Sequence, residues 1–240
     1  MTRWLPRSLV DKVPRDHRET DAAFRRRRRV TAATAVAGAG LLGVSLSQPP
    51  DSRRFYGLTL AVAATWASGG LAAGPLHAGW TFGPQGTVRR PWLSPVVTGA
   101  GAFGAFYAAA LVARRIPPLD RALVSVLRYA SQGSAPLVLT TTLANGLAEE
   151  VFFRGALFAA VGADRPVLTT TTVYGLATTA TRNPALVLAS LPMGLLLGLQ
   201  RRSTGGIQAP VLTHLTWSAL MLRYLPPLFA DRTGARRAPE

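Results

Sequence analysis

The chain has 240 residues, of which 48% are hydrophobic and only 16% are charged, with a formal net charge of +16. Cysteine is absent, which excludes disulfide bonds and thiol chemistry. Several uncharged runs reach about 20 residues, the length that a helix needs to cross the hydrocarbon core of a bilayer. Such runs predict a helical membrane bundle in place of one or two soluble domains, because a helix in lipid satisfies its own backbone hydrogen bonds.

The positive charge is concentrated at the ends of the apolar runs. Such placement is typical of residues that set membrane topology and contact lipid headgroups. We therefore expect membrane lipids, and no nucleic acid, as the partners of the basic residues. The flanking pairs are Arg53-Arg54, Arg89-Arg90, Arg114-Arg115 and Arg201-Arg202.

The N-terminal segment, residues 1–29, is polar, contains His17 and ends in the five consecutive arginines 25–29. An arginine run before an apolar segment is also found in secretion signals. The further apolar runs downstream favour an uncleaved anchor instead. Because cytoplasmic flanks of membrane helices are rich in Lys and Arg, we expect a cytoplasmic N-terminal tail on a multi-pass protein of the cell membrane.

The apolar runs predict an all-α, polytopic transmembrane bundle of about seven spans, with six to eight as the range. The orientation of the later spans stays open, because simple crossings would place the Arg114-Arg115 pair outside the cell. We divide the chain into the tail, N-terminal helices and loops over 30–133, a core over 134–229 and a polar tail over 230–240. The predicted spans are 30–46, 55–74, 92–113, 135–161, 166–181, 185–200 and 207–229.

Two connections between the spans have a character of their own. Residues 75–91 are rich in Gly, Pro and Trp and predict an ordered loop with His77 at its surface. Residues 114–134 mix basic and apolar side chains and predict a short helix in the plane of the membrane interface. The residues that indicate this helix are Arg121, Val124, Leu127 and Arg128.

The fourth predicted span contains three ionisable residues, Glu149, Glu150 and Arg154, in apolar surroundings. Ionisable groups at membrane depth cost about 3 kcal/mol each and are usually functional. On a helix Glu150 and Arg154 share a face, and Glu149 points about 100° away. The pattern predicts either an acid–base site, with one glutamate held ionised and the other poised to take a proton from water, or a buried ion pair that only orients the helix.

His214 is the second polar feature of an apolar span. It lies one turn after Pro210, with Ser218 four residues further on the same helix face. Taken alone, it is either a hydrogen-bonded packing residue or part of a site. The sequence contains no His-Glu-x-x-His pattern, so no metal and no cofactor is predicted.

These residues together resemble a known family. Glu149-Glu150 followed by Arg154 and Gly155, and then His214 after a glycine-rich stretch, is similar to the motifs of the CPBP family. These intramembrane glutamic endopeptidases are related to CAAX prenyl proteases, lysostaphin resistance protein A and abortive-infection proteins. The resemblance covers roughly residues 134–222 and implies a membrane-embedded hydrolase.

The resemblance also implies a role for each residue. Glu149 and Glu150 would hold and deprotonate a water, Arg154 would fix the carboxylates, and His214 would donate to the developing oxyanion. The implied substrate is a peptide or a lipidated protein, of the CAAX type or another membrane protein that is processed.

Two positions depart from the family pattern. Where the second motif has His four residues after an aromatic side chain, this sequence has Thr178 after Tyr174, and Ser218 stands where the third motif has Asn or Asp. Hydroxyls can hydrogen-bond but are not general bases at neutral pH. A catalytically impaired member that acts as a binding or immunity scaffold is therefore the alternative prediction. A small transporter is disfavoured, because one helix carries all the charges and no repeat is evident.

Overall fold

The computed structural model describes residues 6–10, 19–83 and 86–230. His17 and positions 231–240 of the predicted C-terminal tail lie outside these residues. Every predicted span is occupied by helix, so the all-α class is confirmed. The helices are α1 (Arg7–Val10), α2 (Asp21–Ser45), α3 (Arg53–Ala72), α4 (Leu93–Ala113), α5 (Pro117–Gln132), α6 (Ala135–Glu149), α7 (Phe158–Val161), α8 (Pro166–Thr179), α9 (Pro184–Thr204) and α10 (Gln208–Tyr224).

Shorter elements complete the architecture. A π-helical turn, Glu150–Leu157, joins α6 to α7, and a 3-10 turn, Pro226–Phe229, follows α10. Two short antiparallel strands, β1 (Thr81–Phe82) and β2 (Val88–Arg89), pair within the loop between α3 and α4. Apart from this ribbon, the described chain is built from helices and their connections.

Three helices, α3, α4 and α9, are long and apolar enough to cross a membrane. Helix α8 has 14 residues, a length of about 21 Å that is shorter than the roughly 30 Å hydrocarbon core. The count of seven spans therefore stays a prediction. Helix α4 exposes large apolar side chains, among them Leu93 at 74% and Val97 at 61%, as a surface covered by lipid would.

Helix α2 begins nine residues before the predicted span. The Thr20 side chain accepts a hydrogen bond from the Ala23 amide at 3.2 Å, and Asp21 lies in the first turn. An N-cap hydroxyl and an early acidic residue both favour a helix start. The five-arginine run therefore lies inside α2, and Arg27 is buried in an ion pair with Glu19 at 2.8 Å.

Helix α5 confirms the predicted short helix between the third and fourth spans. Leu127 is buried in an apolar cluster with Ala110, Leu225 and Phe229. On the next turn the Tyr129 hydroxyl lies 2.7 Å from the carbonyl oxygen of Gln48, just beyond the end of α2. These contacts attach α5 to the bundle, whereas its position in the membrane interface plane stays a prediction.

The main core lies between α2, α3, the π-helical turn and α8. Trp66 of α3 is 1% exposed and packs against Phe152 and Phe153 of the π turn, with ring centroids 4.7 and 5.1 Å away. Gly38 lets α2 approach closely, since a Cβ there would overlap the Trp66 ring. Small residues at such crossings are typical of membrane helix packing.

The loop over 75–91 contains the β1–β2 ribbon, and it contacts the start of α10. The carbonyls of His77 and Ala78 accept from the amides of Ile207 and Gln208 at 2.8 and 3.0 Å. These bonds satisfy amides that the first turn of a helix leaves without intrahelical partners. Gly206 permits the contact, since a Cβ at this position would overlap the Ala78–Gly79 backbone.

Candidate active site

The helix that carries both glutamates changes its winding between them. Glu149 is the last residue of α6, and Glu150 is the first residue of the π-helical turn. Single π turns inside α-helices are rare and occur frequently at functional sites. The two carboxylates leave this point toward different partners, Glu149 toward α8 and Glu150 toward α10.

Glu150 forms the centre of a buried ionic cluster. Its Oε1 lies 2.9 Å from Arg154 Nη1 and 2.8 Å from His214 Nδ1. The exposed fractions are 0% for Glu150, 1% for Arg154 and 5% for His214. An ionised carboxylate can only accept hydrogen bonds, so an ionised Glu150 receives both. The fold thus brings together the predicted first motif and a histidine 64 residues away.

Arg154 also binds the neighbouring helices. Its Nη2 donates to the Gly194 carbonyl on α9 at 3.4 Å, and its guanidinium lies 4.8 Å from the centroid of the Tyr174 ring. The backbone carbonyl of Arg154 accepts a 2.6 Å hydrogen bond from Nε of Arg201. Arg154 therefore connects the π turn, α8, α9 and α10 around one buried charge.

Arg201 was predicted to be a topology-setting residue at the end of a span. In the structure it is only 7% exposed, and its guanidinium lies 5.0 Å from the centroid of the Phe158 ring as well as bonding to the π turn. The Arg201 guanidinium therefore makes these contacts inside the helical bundle. The pairing of a basic residue with an apolar flank does not distinguish these two roles, because both place arginine at a helix end.

Glu149 lines a cavity of about 130 Å³ between α2, α3, α8, α9 and α10. Its Oε2 accepts a 2.8 Å hydrogen bond from the Tyr174 hydroxyl. Of the four predicted catalytic residues, all of which the structure describes, Glu149 is the one on the cavity wall. The rest of the wall is mostly apolar, with contributions from Thr178 and Trp217.

The predicted supporting residues have different positions. Thr178 faces the cavity and donates its hydroxyl hydrogen to the Tyr174 carbonyl at 2.8 Å. Tyr174 orients Glu149, as described above. Ser218 is buried on α10, one turn beyond His214, with an exposed fraction of 6%. Tyr174 and Thr178 therefore belong to the Glu149 side of the site, and Ser218 belongs to the helix that carries His214.

Sequence reasoning missed two polar links near the site. Gln200 Nε2 donates to Thr213 Oγ1 at 2.8 Å, and Thr213 in turn donates to the Pro95 carbonyl at 2.9 Å. These two buried hydrogen bonds join α9, α10 and α4 next to His214. Gln200 is recognisable as a polar residue at the end of an apolar run, but nothing in the sequence identifies its partner. Trp217, three residues after His214, was also not predicted to belong to the site.

Metal ligation finds no support in the described ranges. Within residues 6–10, 19–83 and 86–230, no three His, Asp or Glu side chains are placed to hold one ion. The side chains of the described site offer carboxylate, guanidinium, imidazole, phenol and indole groups.

The buried Glu–Arg–His cluster lies in an all-α fold in which three of the described helices are long and apolar enough to cross a membrane. Residues 131–220 match the family model described as Rce1-like, type II CAAX prenyl endopeptidase. Over residues 131–220, this match confirms the resemblance to the CPBP, or CAAX protease, family that the motifs indicate. No curated protein and no solved structure matches the chain significantly.

Proposed function

We propose that this chain is an intramembrane endopeptidase that hydrolyses a peptide bond with a water activated by Glu149. The observation that carries the proposal is the division between the two glutamates. Glu150 is fully buried and bonded to Arg154 and His214, whereas Glu149 lies on a cavity wall where a substrate has room. When one carboxylate is fixed by charged partners and its neighbour faces a cavity, the neighbour, here Glu149, can act as the base.

Glu149 has the surroundings that a general base needs. Tyr174 donates to Oε2 and orients the carboxylate, which leaves Oε1 to accept a hydrogen from a water in the cavity. The water oxygen would bond to the carbonyl carbon while its proton passes to Glu149. The carbon–nitrogen bond then breaks, and the amine leaves with that proton.

The Glu150 cluster would act by positioning. Its 2.8 Å hydrogen bond with His214 fixes α10 against the π-helical turn, and its bond with Arg154 inside the turn holds the carboxylate in place, so that the cavity-facing side of α10 keeps its position. We assign this positioning role to His214 through Nδ1. In the protonated ring, Nε2–H remains as the donor through which His214 could also meet an oxyanion, as the family resemblance implies.

The proposed substrate is a membrane-associated peptide or lipidated protein of the CAAX type. The family description names a prenyl endopeptidase, and the cavity wall is apolar apart from Glu149 and a few hydroxyl and indole groups. The apolar side chains and the lipid group of such a substrate fit this wall better than charged side chains, because an unpaired charge there would lose its hydration.

The test uses the full-length chain in lipid nanodiscs and an internally quenched peptide that ends in farnesylcysteine–valine–isoleucine–methionine. Glu149→Gln removes the base and preserves shape, and cleavage should fall by about 10²- to 10⁴-fold. Asp164→Asn, at an exposed acid in the α7–α8 connection, is the matched control and should cleave like the wild type. Wild-type rates in Glu149→Gln would rule out this mechanism.

A second candidate is a binding scaffold without hydrolytic activity, and Thr178 is the observation that favours it. A hydroxyl is too weakly basic to replace a histidine base at neutral pH, and its hydrogen is already donated to the Tyr174 carbonyl, so it is not available to a substrate either. A wild-type chain that binds the farnesylated peptide but leaves it intact would support the scaffold over the protease.

A further inference from the structure

The hydroxyl groups on the cavity wall have no hydrogens left for a substrate. Each hydroxyl there already donates to another acceptor in the protein, at 2.7 or 2.8 Å. The pairs are Tyr174 to Glu149 Oε2, Thr178 to the Tyr174 carbonyl, Thr181 to the Thr178 carbonyl and Ser190 to the Val187 carbonyl. These groups can still accept hydrogen bonds, but a substrate carbonyl needs a donor.

Two tryptophans that line this cavity have an indole N–H group that is not donated to any described residue. Trp66 and Trp217 both line the cavity, and Nε1 of each is buried without a hydrogen-bond partner among the described residues. A buried donor that is left unsatisfied costs about 1–3 kcal/mol. An unsatisfied donor beside a cavity is therefore a candidate for binding a ligand acceptor.

Trp217 is in contact with one of the predicted catalytic residues. Its ring centroid lies 5.8 Å from that of His214, on the helix that the Glu150 cluster fixes. Phe106 of α4 holds the indole from another side at 5.2 Å. Trp66, in contrast, is 1% exposed and packs between the π turn and α2. Its role in the hydrophobic core is sufficient to explain a tryptophan at this position.

We propose that the Trp217 indole N–H donates a hydrogen bond to the carbonyl oxygen of the scissile peptide bond. The inference rests on the proposed hydrolytic function. As the water oxygen bonds to the carbonyl carbon and its proton passes to Glu149, the carbonyl π electrons move to the oxygen. Trp217 stabilises this oxyanion until the carbonyl double bond re-forms. The carbon–nitrogen bond then breaks, and the amine takes the proton from Glu149.

The kinetic test compares Trp217→Phe with Trp92→Phe, an indole at the start of α4 that is 64% exposed, on the farnesylated quenched peptide. Removing one oxyanion donor costs about 10²- to 10³-fold in kcat. We expect that loss in Trp217→Phe with KM changed by no more than about twofold, since the donor acts mainly on the transition state. Benzothienylalanine at position 217 keeps the ring shape without the N–H and should show the same loss.

A kcat for the benzothienylalanine variant equal to that of the wild type would overturn the proposal, because shape and not the N–H would then carry the effect. An increase in KM alone would overturn it as well, since it would indicate packing or substrate affinity. These comparisons require a wild-type chain that cleaves, so an inactive wild type counts against the proposed function itself.

A binding measurement decides the role of Trp217 independently of turnover. In a Glu149→Gln chain with ¹⁵N-labelled tryptophan, the Trp217 indole signal is assigned by its loss in Trp217→Phe. Addition of the farnesylated peptide should move this indole proton downfield, as a new hydrogen bond does, and leave the Trp92 signal in place. An unmoved Trp217 signal at saturating peptide would refute the donor role.

Discussion

Removal of the Glu150 carboxylate is the perturbation with the best-defined structural consequence. Glu150→Ala takes away the common acceptor of Arg154 and His214, which lie 2.9 and 2.8 Å from the same oxygen. Arg154 is 1% exposed, so its charge would remain inside the bundle without its carboxylate. Breaking a buried ion pair from one side costs about 3–5 kcal/mol. That amount is a large share of the roughly 5–15 kcal/mol by which folded domains are stable.

The measurement is the free energy of unfolding of the chain in mixed micelles, determined by denaturant titration. Asp164→Ala is the matched control, since this acid is exposed and should change stability by no more than about 0.5 kcal/mol. The double variant Glu150→Ala/Arg154→Met removes both charges and should recover part of the loss, because an apolar replacement of a whole buried pair is often neutral.

A loss below about 1 kcal/mol in Glu150→Ala would refute the reasoning, since it would mean that the buried arginine does not need its carboxylate. Failure of the double variant to recover any stability would show that His214, and not the charge of Arg154, is the group that depends on Glu150. Glu150→Ala should also abolish peptide cleavage through the loss of the positioning that we propose.

Two further predictions concern residues around the site. Gly206→Ala should lower stability by about 2 kcal/mol or more and reduce cleavage, because its Cβ would overlap the Ala78 backbone and displace the loop that caps α10; unchanged unfolding and cleavage would contradict this account of the loop. Thr178→His should raise cleavage by at least about 10-fold, because an imidazole beside Glu149 adds a second group that can hold the water. Thr179→His, at the exposed neighbouring position, is its control, and equal rates in the two variants would show that position 178 does not reach the water.

The sequence predicts the helices well because their signal is local. Apolar runs of about 20 residues form helix in any packing arrangement, and Glu150 and Arg154 meet because residues four apart on a helix are neighbours. Helix α2 begins at Asp21, nine residues before the predicted span, even though its arginine run has the composition of a polar tail. The cap at Thr20 and the burial of Arg27 against Glu19 outweigh that composition.

The proposed division of roles between the glutamates depends on tertiary contacts that no local pattern contains. The π-helical turn directs Glu149 toward Tyr174 on α8 and Glu150 toward His214 on α10. The same limit applies to Trp217, whose importance depends on which hydroxyl hydrogens around the cavity are already donated. The family resemblance identifies the histidine and the acids. Which hydrogen-bond donors around the cavity lack an acceptor, however, depends on contacts in the folded chain.

The segments outside the family match complete the site. The match covers residues 131–220, yet Leu42 and Trp66 on the cavity wall come from α2 and α3. The α3–α4 loop likewise supplies the carbonyls that cap α10 and places Leu76 against Gly155 of the first motif. The proposed catalytic groups therefore come from one part of the chain, and much of the cavity's shape comes from another. Differences in substrate choice among proteins with this core are then expected to follow from their N-terminal helices, because those helices decide which side chain fits beside Glu149.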